Sequence, residues 1–100
     1  MIVVSGTITF NPDKTDVVVA GIDKLLPPTR AEEGNIEYGY SISTEDAGTM
    51  RVFERWADED ALNTHMTTPH LIEFLGLMGE AEVSGVDLWR YDVESASKLM

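Results

Sequence analysis

The stretch from Asn35 to Trp56 leaves few folds open to this chain. Ile36, Tyr38, Tyr40 and Ile42 alternate with Glu37, Gly39, Ser41 and Ser43, the two-residue period of a strand with one buried face. Glu45-Asp46-Ala47-Gly48 reads as a turn ending in glycine, and Met50, Val52, Glu54 and Trp56 share one parity of the returning strand. An isolated hairpin is marginal in water, so the rest of the chain must supply further strands and helices to cover its apolar face.

The flanking segments offer them. Ile2, Val4, Ile8 and Phe10 fall on one parity of an N-terminal strand. Asn11 and Pro12 form a helix start, and Val18, Ile22, Leu25 and Leu26 predict a helix over 12–26, although Val17-Val18-Val19 is a poor helix-forming run. Pro27-Pro28 predicts its end. Thr29 and Glu32 then fit a capping box that opens a short turn closed by Gly34. After the hairpin, Asp58 caps a helix whose apolar face holds Ala61, Leu62, His65 and Met66. Thr68-Pro69 restarts it with Leu71, Ile72, Phe74, Leu75 and Met78 inward. Residues 81–93 predict a last strand with a bulge at Gly85, followed by a loose tail. The order βαββαβ over residues 1–100 describes a single α+β domain of the ferredoxin-like kind, an antiparallel sheet backed by helices.

Composition narrows the function. A formal charge of −11 opposes a phosphate backbone or an anionic membrane surface as partner. There is no cysteine, hence no disulfide, thiolate metal site or thiol nucleophile. MIVVSGTITF lacks the basic start and long apolar core of a signal peptide, and no apolar run reaches the ~18 residues of a membrane span. A cytoplasmic protein without nucleic-acid or membrane partners is the expectation.

Five aromatic or titratable residues carry the chemistry this pattern allows. His65 and His70, the only histidines, are separated by Pro69, which spoils the continuous i, i+4 face of a helical metal pair. Glu54 would complete a two-histidine, one-carboxylate set, but nothing in the spacing favours it, and no metal is expected. His65 reads either as a core histidine satisfied by one hydrogen bond or as a general base in a pocket. Glu54 is a carboxylate on the apolar parity of its strand, where burial raises its pKa; it would accept a proton or pair with an arginine. Trp56 and Tyr38 read as core aromatics or as walls of an aromatic-binding pocket. No nucleophile elbow, phosphate loop or dinucleotide fingerprint is present.

AEEGNIEYGY followed by FERWADEDALNTHMTTPHLIEF resembles the antibiotic biosynthesis monooxygenase family, including its quinol-monooxygenase-like members. The likeness rests on Glu32/Glu33, Gly34, Asn35 and Tyr38, on Glu54 and Trp56, and on Ala61, Leu62, His65, Thr68 and His70. It implies a homodimer in which two ferredoxin-like sheets pair as a dimeric α/β barrel. Phe53, Trp89 and Tyr91, on the parities opposite the core, are the local hint that the second sheet face is covered. It further implies oxidation of a small quinol or phenolic compound with molecular oxygen and no cofactor: Asn35 would hold an oxygen, His65 or Glu54 would take the proton, and Trp56, Tyr38 and His70 would bind the substrate. Phe74, Leu75 and Gly76 stand where haem-degrading relatives place an iron-binding histidine, which disfavours haem. Two other readings are an aromatic-ligand-binding or stress-related dimer without catalysis, and an isomerase or decarboxylase of lactone-like intermediates.

Overall fold

A computed structural model describes residues 1–100 and shows four antiparallel strands in the order β2-β3-β1-β4, backed by helices. The strands are β1 (Ile2–Thr9), β2 (Asn35–Ile42), β3 (Thr49–Trp56) and β4 (Gly85–Asp92); the helices are α1 (Thr15–Arg30), α2 (Glu59–His65) and α3 (Pro69–Glu80). This is the ferredoxin-like α+β arrangement, in which β1 and β3 form the centre and the hairpin β2–β3 supplies one edge.

Alternation fixes which side chains meet the helices. Met50, Val52, Glu54 and Trp56 of β3 are all buried, as are Ile2 and Ile8 of β1 beside them. Asp58 accepts a hydrogen bond from the Ala61 amide at 2.8 Å, and Thr68 accepts one from the Leu71 amide at 3.4 Å, so both predicted caps start their helices. Leu62, His65, Leu71 and Phe74 then turn inward. Met66, Ile72 and Leu75, expected inward, are instead more than half exposed. Met66 and Leu75 line an open cavity rather than the packed core.

The stretch after Asn11 departs from its sequence reading. Asn11 caps a 3-10 turn over Pro12–Lys14, and the α-helix proper begins at Thr15. That helix runs through Pro27 and Pro28 to Arg30. The carbonyls deprived of a donor belong to Asp23 and Lys24, both exposed, where solvent can serve them. Burial of Val18 and Leu25 outweighs the weak propensity of the valine run. Arg30 ties the helix end to the sheet edge, its Nε and Nη2 donating to the Tyr38 carbonyl at 3.1 and 3.0 Å.

Because the helix continues, Thr29 is a buried member of its last turn, and the Thr29–Glu32 capping box does not form. Gly34 does adopt the left-handed conformation, φ 86°, four residues beyond the helix end. A Cβ there would come within 2.6 Å of the Ala61 Cβ, so glycine also lets α2 approach. Ile36 is the extra residue of an irregularity between Asn35 and Glu37, which explains its exposure. The last strand begins at Gly85 rather than 81 and pairs with β1 without a bulge. No helix is long and apolar enough to cross a membrane.

Candidate functional site

The helices leave part of the sheet uncovered, and a cavity of about 420 Å³ opens there, between the β1–β4 side of the sheet and α2–α3. Its walls are apolar, with Val4, Ile8, Leu62, Phe74 and Met78 among them, and Val86 and Leu88 of the edge strand contribute its outer side. Tyr38, Tyr40, Glu54 and His65 supply the polar groups of the lining, together with Asn63. An apolar pocket with a few convergent polar groups is the usual form of a small-molecule site.

All of these polar groups but the exposed Asn63 are held by the fold. β3 delivers Glu54 into the apolar layer at 6% exposure, and its Oε1 accepts a hydrogen bond from the Trp56 indole at 2.9 Å. Burial raises the Glu54 pKa from 4.5 to about 7, against the lowering effect of that hydrogen bond; the Glu32 carboxylate pushes it up further. The arginine partner open at the sequence level is not the one it has. The Tyr38 and Tyr40 hydroxyls are 3.2 Å apart, and burial drives both phenol pKa values well above 10. They are therefore neutral hydrogen-bonding groups at the polar end.

His65 is 1% exposed at the C-terminus of α2, its ring 4.8 Å from that of Trp56 and 5.2 Å from that of Tyr38. Its Nδ1 lies 2.7 Å from Glu32 Oε2, and His70 Nε2 lies 2.8 Å from the same oxygen. Burial lowers the His65 pKa, partly opposed by the hydrogen bond and charge of Glu32. The imidazole is thus neutral near pH 7.

The structure brings Tyr38, Glu54 and His65 together at one cavity. Trp56 sits behind them, holding Glu54 through its indole and packing on the His65 ring rather than lining the space. His70 also stands outside the lining, bonded to Glu32. Asn35 does too, its Nδ2 donating to the Glu37 carbonyl at 3.2 Å. Tyr40 and, above all, Glu32 have no site role in the sequence reading, although Glu32 is among the residues that carry the family likeness. The alternation marked Tyr40, but the spacing of Glu32 from Thr29 drew it into a cap.

Glu32, His65 and His70 offer donor atoms within 4.8 Å of one another and are the set that a cation would find. The 2.7 and 2.8 Å separations are hydrogen-bond lengths. A carboxylate that accepts from both leaves hydrogen on these two nitrogens, whereas metal ligation needs bare nitrogens.

The sequence pattern of the family described as "Antibiotic biosynthesis monooxygenase" matches residues 1–76. The chain is 39% identical over 75 residues to the protein sll1783 of Synechocystis, covering 74% of this chain but spanning only half of that protein's length. It is 29% identical to the Bacillus subtilis protein named "Putative monooxygenase YcnE", over 93% of this chain and 98% of that one. A third relative, from Mycobacterium tuberculosis and named "Putative monooxygenase Rv0793", is 35% identical over 69% of this chain and 67% of its own length. The solved structure of Rv0793 superposes with a TM-score of 0.86 at 26% identity, covering 97% and 98% of the two chains. A structure from Deinococcus radiodurans, at 20% identity and a TM-score of 0.89 over 100% and 99%, shares the fold.

Proposed function

Since the chain belongs to the antibiotic biosynthesis monooxygenase family, we propose that it is a monooxygenase that oxidises a small quinol or phenolic compound with molecular oxygen, without metal, flavin or haem. The observation that carries this reading is the cavity itself: apolar walls sized for a small aromatic, with a neutral imidazole and a carboxyl of pKa about 7 at its polar end.

In this mechanism the aromatic rings lie against Tyr38, Tyr40, Phe74 and the aliphatic wall. His65, or the ionised fraction of Glu54, takes the phenolic proton. The phenolate then reduces oxygen, and the two combine at a ring carbon as a hydroperoxide. Loss of water leaves a carbonyl, so a phenol and O2 become a quinone and H2O, with no outside reductant. Of the two neutral tyrosine hydroxyls one donates to the other, and the one left free donates a hydrogen bond to the substrate oxygen as charge develops on it. Apolar walls keep water from the reduced oxygen species. The oxygen-holding role of Asn35 comes from the family resemblance and requires its Nδ2 to leave the Glu37 carbonyl and turn to the cavity, while Trp56 and His70 support the polar end from outside the lining.

Oxygen uptake with naphthol- and hydroquinone-type compounds in chelator-treated buffer tests the reading. Uptake above the enzyme-free rate is expected, with a fall of about 100-fold or more in His65→Ala while circular dichroism stays unchanged. Asn35→Ala and Glu54→Gln are assayed alongside. Rates unaltered in all three variants would remove these groups from the chemistry.

The proposed active form is a homodimer joined through the sheet face opposite the helices. Register places Phe53, Trp89 and Tyr91 on that face together with Val3 and Ser5. The three aromatics are 40%, 60% and 50% exposed in the single chain, an apolar patch that a second copy would cover.

A further inference from the structure

We infer that Glu32 is a positioning residue: it fixes the tautomer of His65 and holds the charge that the imidazole acquires when it takes a proton. This rests on His65 acting as the base in the proposed oxidation, and it assigns a role to a carboxylate outside the cavity.

Three elements converge at Glu32. It lies just past α1, His65 ends α2 and His70 opens α3, so its contacts span 33 and 38 residues of chain. An ionised carboxylate only accepts, hence the proton sits on His65 Nδ1 and on His70 Nε2. In a neutral imidazole one nitrogen carries hydrogen, so His65 Nε2 is left as a lone pair. That nitrogen has no hydrogen-bond partner in the protein, and the ring lines the cavity. The tautomer is therefore the one able to accept a proton from a bound phenol.

The second oxygen of Glu32 gives this arrangement a direction. Both hydrogen bonds fall on Oε2, while Oε1 is buried without any partner. A buried acceptor left unsatisfied is costly, so the charge of the carboxylate is incompletely compensated in the resting site. Proton transfer to Nε2 makes His65 an imidazolium, and its positive charge then lies 2.7 Å from Oε2. The attraction strengthens as the reaction proceeds, the condition for an interaction to accelerate a chemical step. His70, with one-fifth of its side chain exposed, bonds the same oxygen and keeps the carboxylate from swinging away from His65. The logic is that of a carboxylate orienting the histidine of a catalytic triad, built here without a serine.

A purely structural clamp at the α1–α2–α3 junction would give the same contacts, so the test separates the two. In protein labelled with 15N-histidine and free of substrate, two-bond 15N–1H correlation spectra report the His65 tautomer. The expected form is Nδ1–H in the native chain, with mixed tautomers in Glu32→Ala. An Nε2–H tautomer in the native chain overturns the inference. Glu32→Gln keeps the volume and an acceptor oxygen but removes the charge. Its kcat for oxygen uptake is expected to fall at least about tenfold with KM within about twofold, and Glu32→Asp to recover part of the loss. A structural clamp predicts a lowered melting temperature with kcat intact in the folded fraction, and that result also overturns the inference. If the native protein oxidises none of the aromatic probes, the monooxygenase reading fails, while the tautomer in native and Glu32→Ala protein still decides whether Glu32 sets His65.

Discussion

Glu54 makes the fold sensitive to pH in an uncommon sense. Carboxylates in folded proteins are mostly stabilised in their charged form; this one is held at about 7 against an ordinary 4.5 because it is buried in the apolar layer. Below pH 4.5 both folded and unfolded chains carry the proton, and the group contributes nothing. Between 4.5 and about 7 the folded chain holds a proton that the unfolded chain has lost, so stability falls as pH rises. Above about 7 the loss is complete. At roughly 1.4 kcal/mol per pH unit, the interval amounts to about 3 kcal/mol.

Glu54→Gln removes that dependence and keeps a side-chain oxygen for the Trp56 indole. Urea unfolding of both proteins from pH 5 to pH 8 measures it; lower pH is avoided because the chain approaches its isoelectric point of about 4.3. The stability of the variant relative to the native chain should climb by between about 2 and 3 kcal/mol across this range. The buried His65 loses stability as pH falls through 6.5 and below, but it does so in both proteins and cancels from the difference. Parallel curves, with a gap that stays constant to within about 1 kcal/mol, would show that Glu54 is not desolvated and would refute the pKa assigned to it.

Two further substitutions probe the scaffold. Gly34→Ala forces a Cβ into the left-handed region and within 2.6 Å of Ala61; we expect about 2 kcal/mol of destabilisation, read as a fall in melting temperature of about 10 °C. Trp89→Glu should hold the protein as a monomer in sedimentation velocity where the native chain sediments as a dimer; two proteins of equal mass in solution would contradict the proposed sheet-to-sheet contact.

Much of the fold is legible because its signals are local. The alternation from Ile36 to Trp56 carries the hairpin, and Asp58 and Thr68 mark helix starts through bonds to amides three residues on. Glu54 was visible as well, since a charge on an apolar parity stands out without knowledge of any partner. What escaped depends on contacts distant in sequence or on solvent. Pro27 and Pro28 look like a break until the exposure of Asp23 and Lys24 shows that the lost hydrogen bonds fall on the wet side of α1. Glu32 belongs locally to Thr29, and only folding brings it to two histidines more than 30 residues away. The indole that binds Glu54 is two residues along its own strand; periodicity sets the two side chains on one face but does not say that they bond.

The uncovered flank of the sheet has a consequence for how such a protein diversifies. The proton-handling groups sit on β2, β3 and the end of α2, whereas Val86, Leu88, Leu75 and Met66 line the cavity from solvent-exposed positions. The side chains at these four sites are exposed and make no hydrogen bond, so substitution there breaks none. In the proposed enzyme, a change of guest is then met by substitution along this rim, with the reactive end untouched.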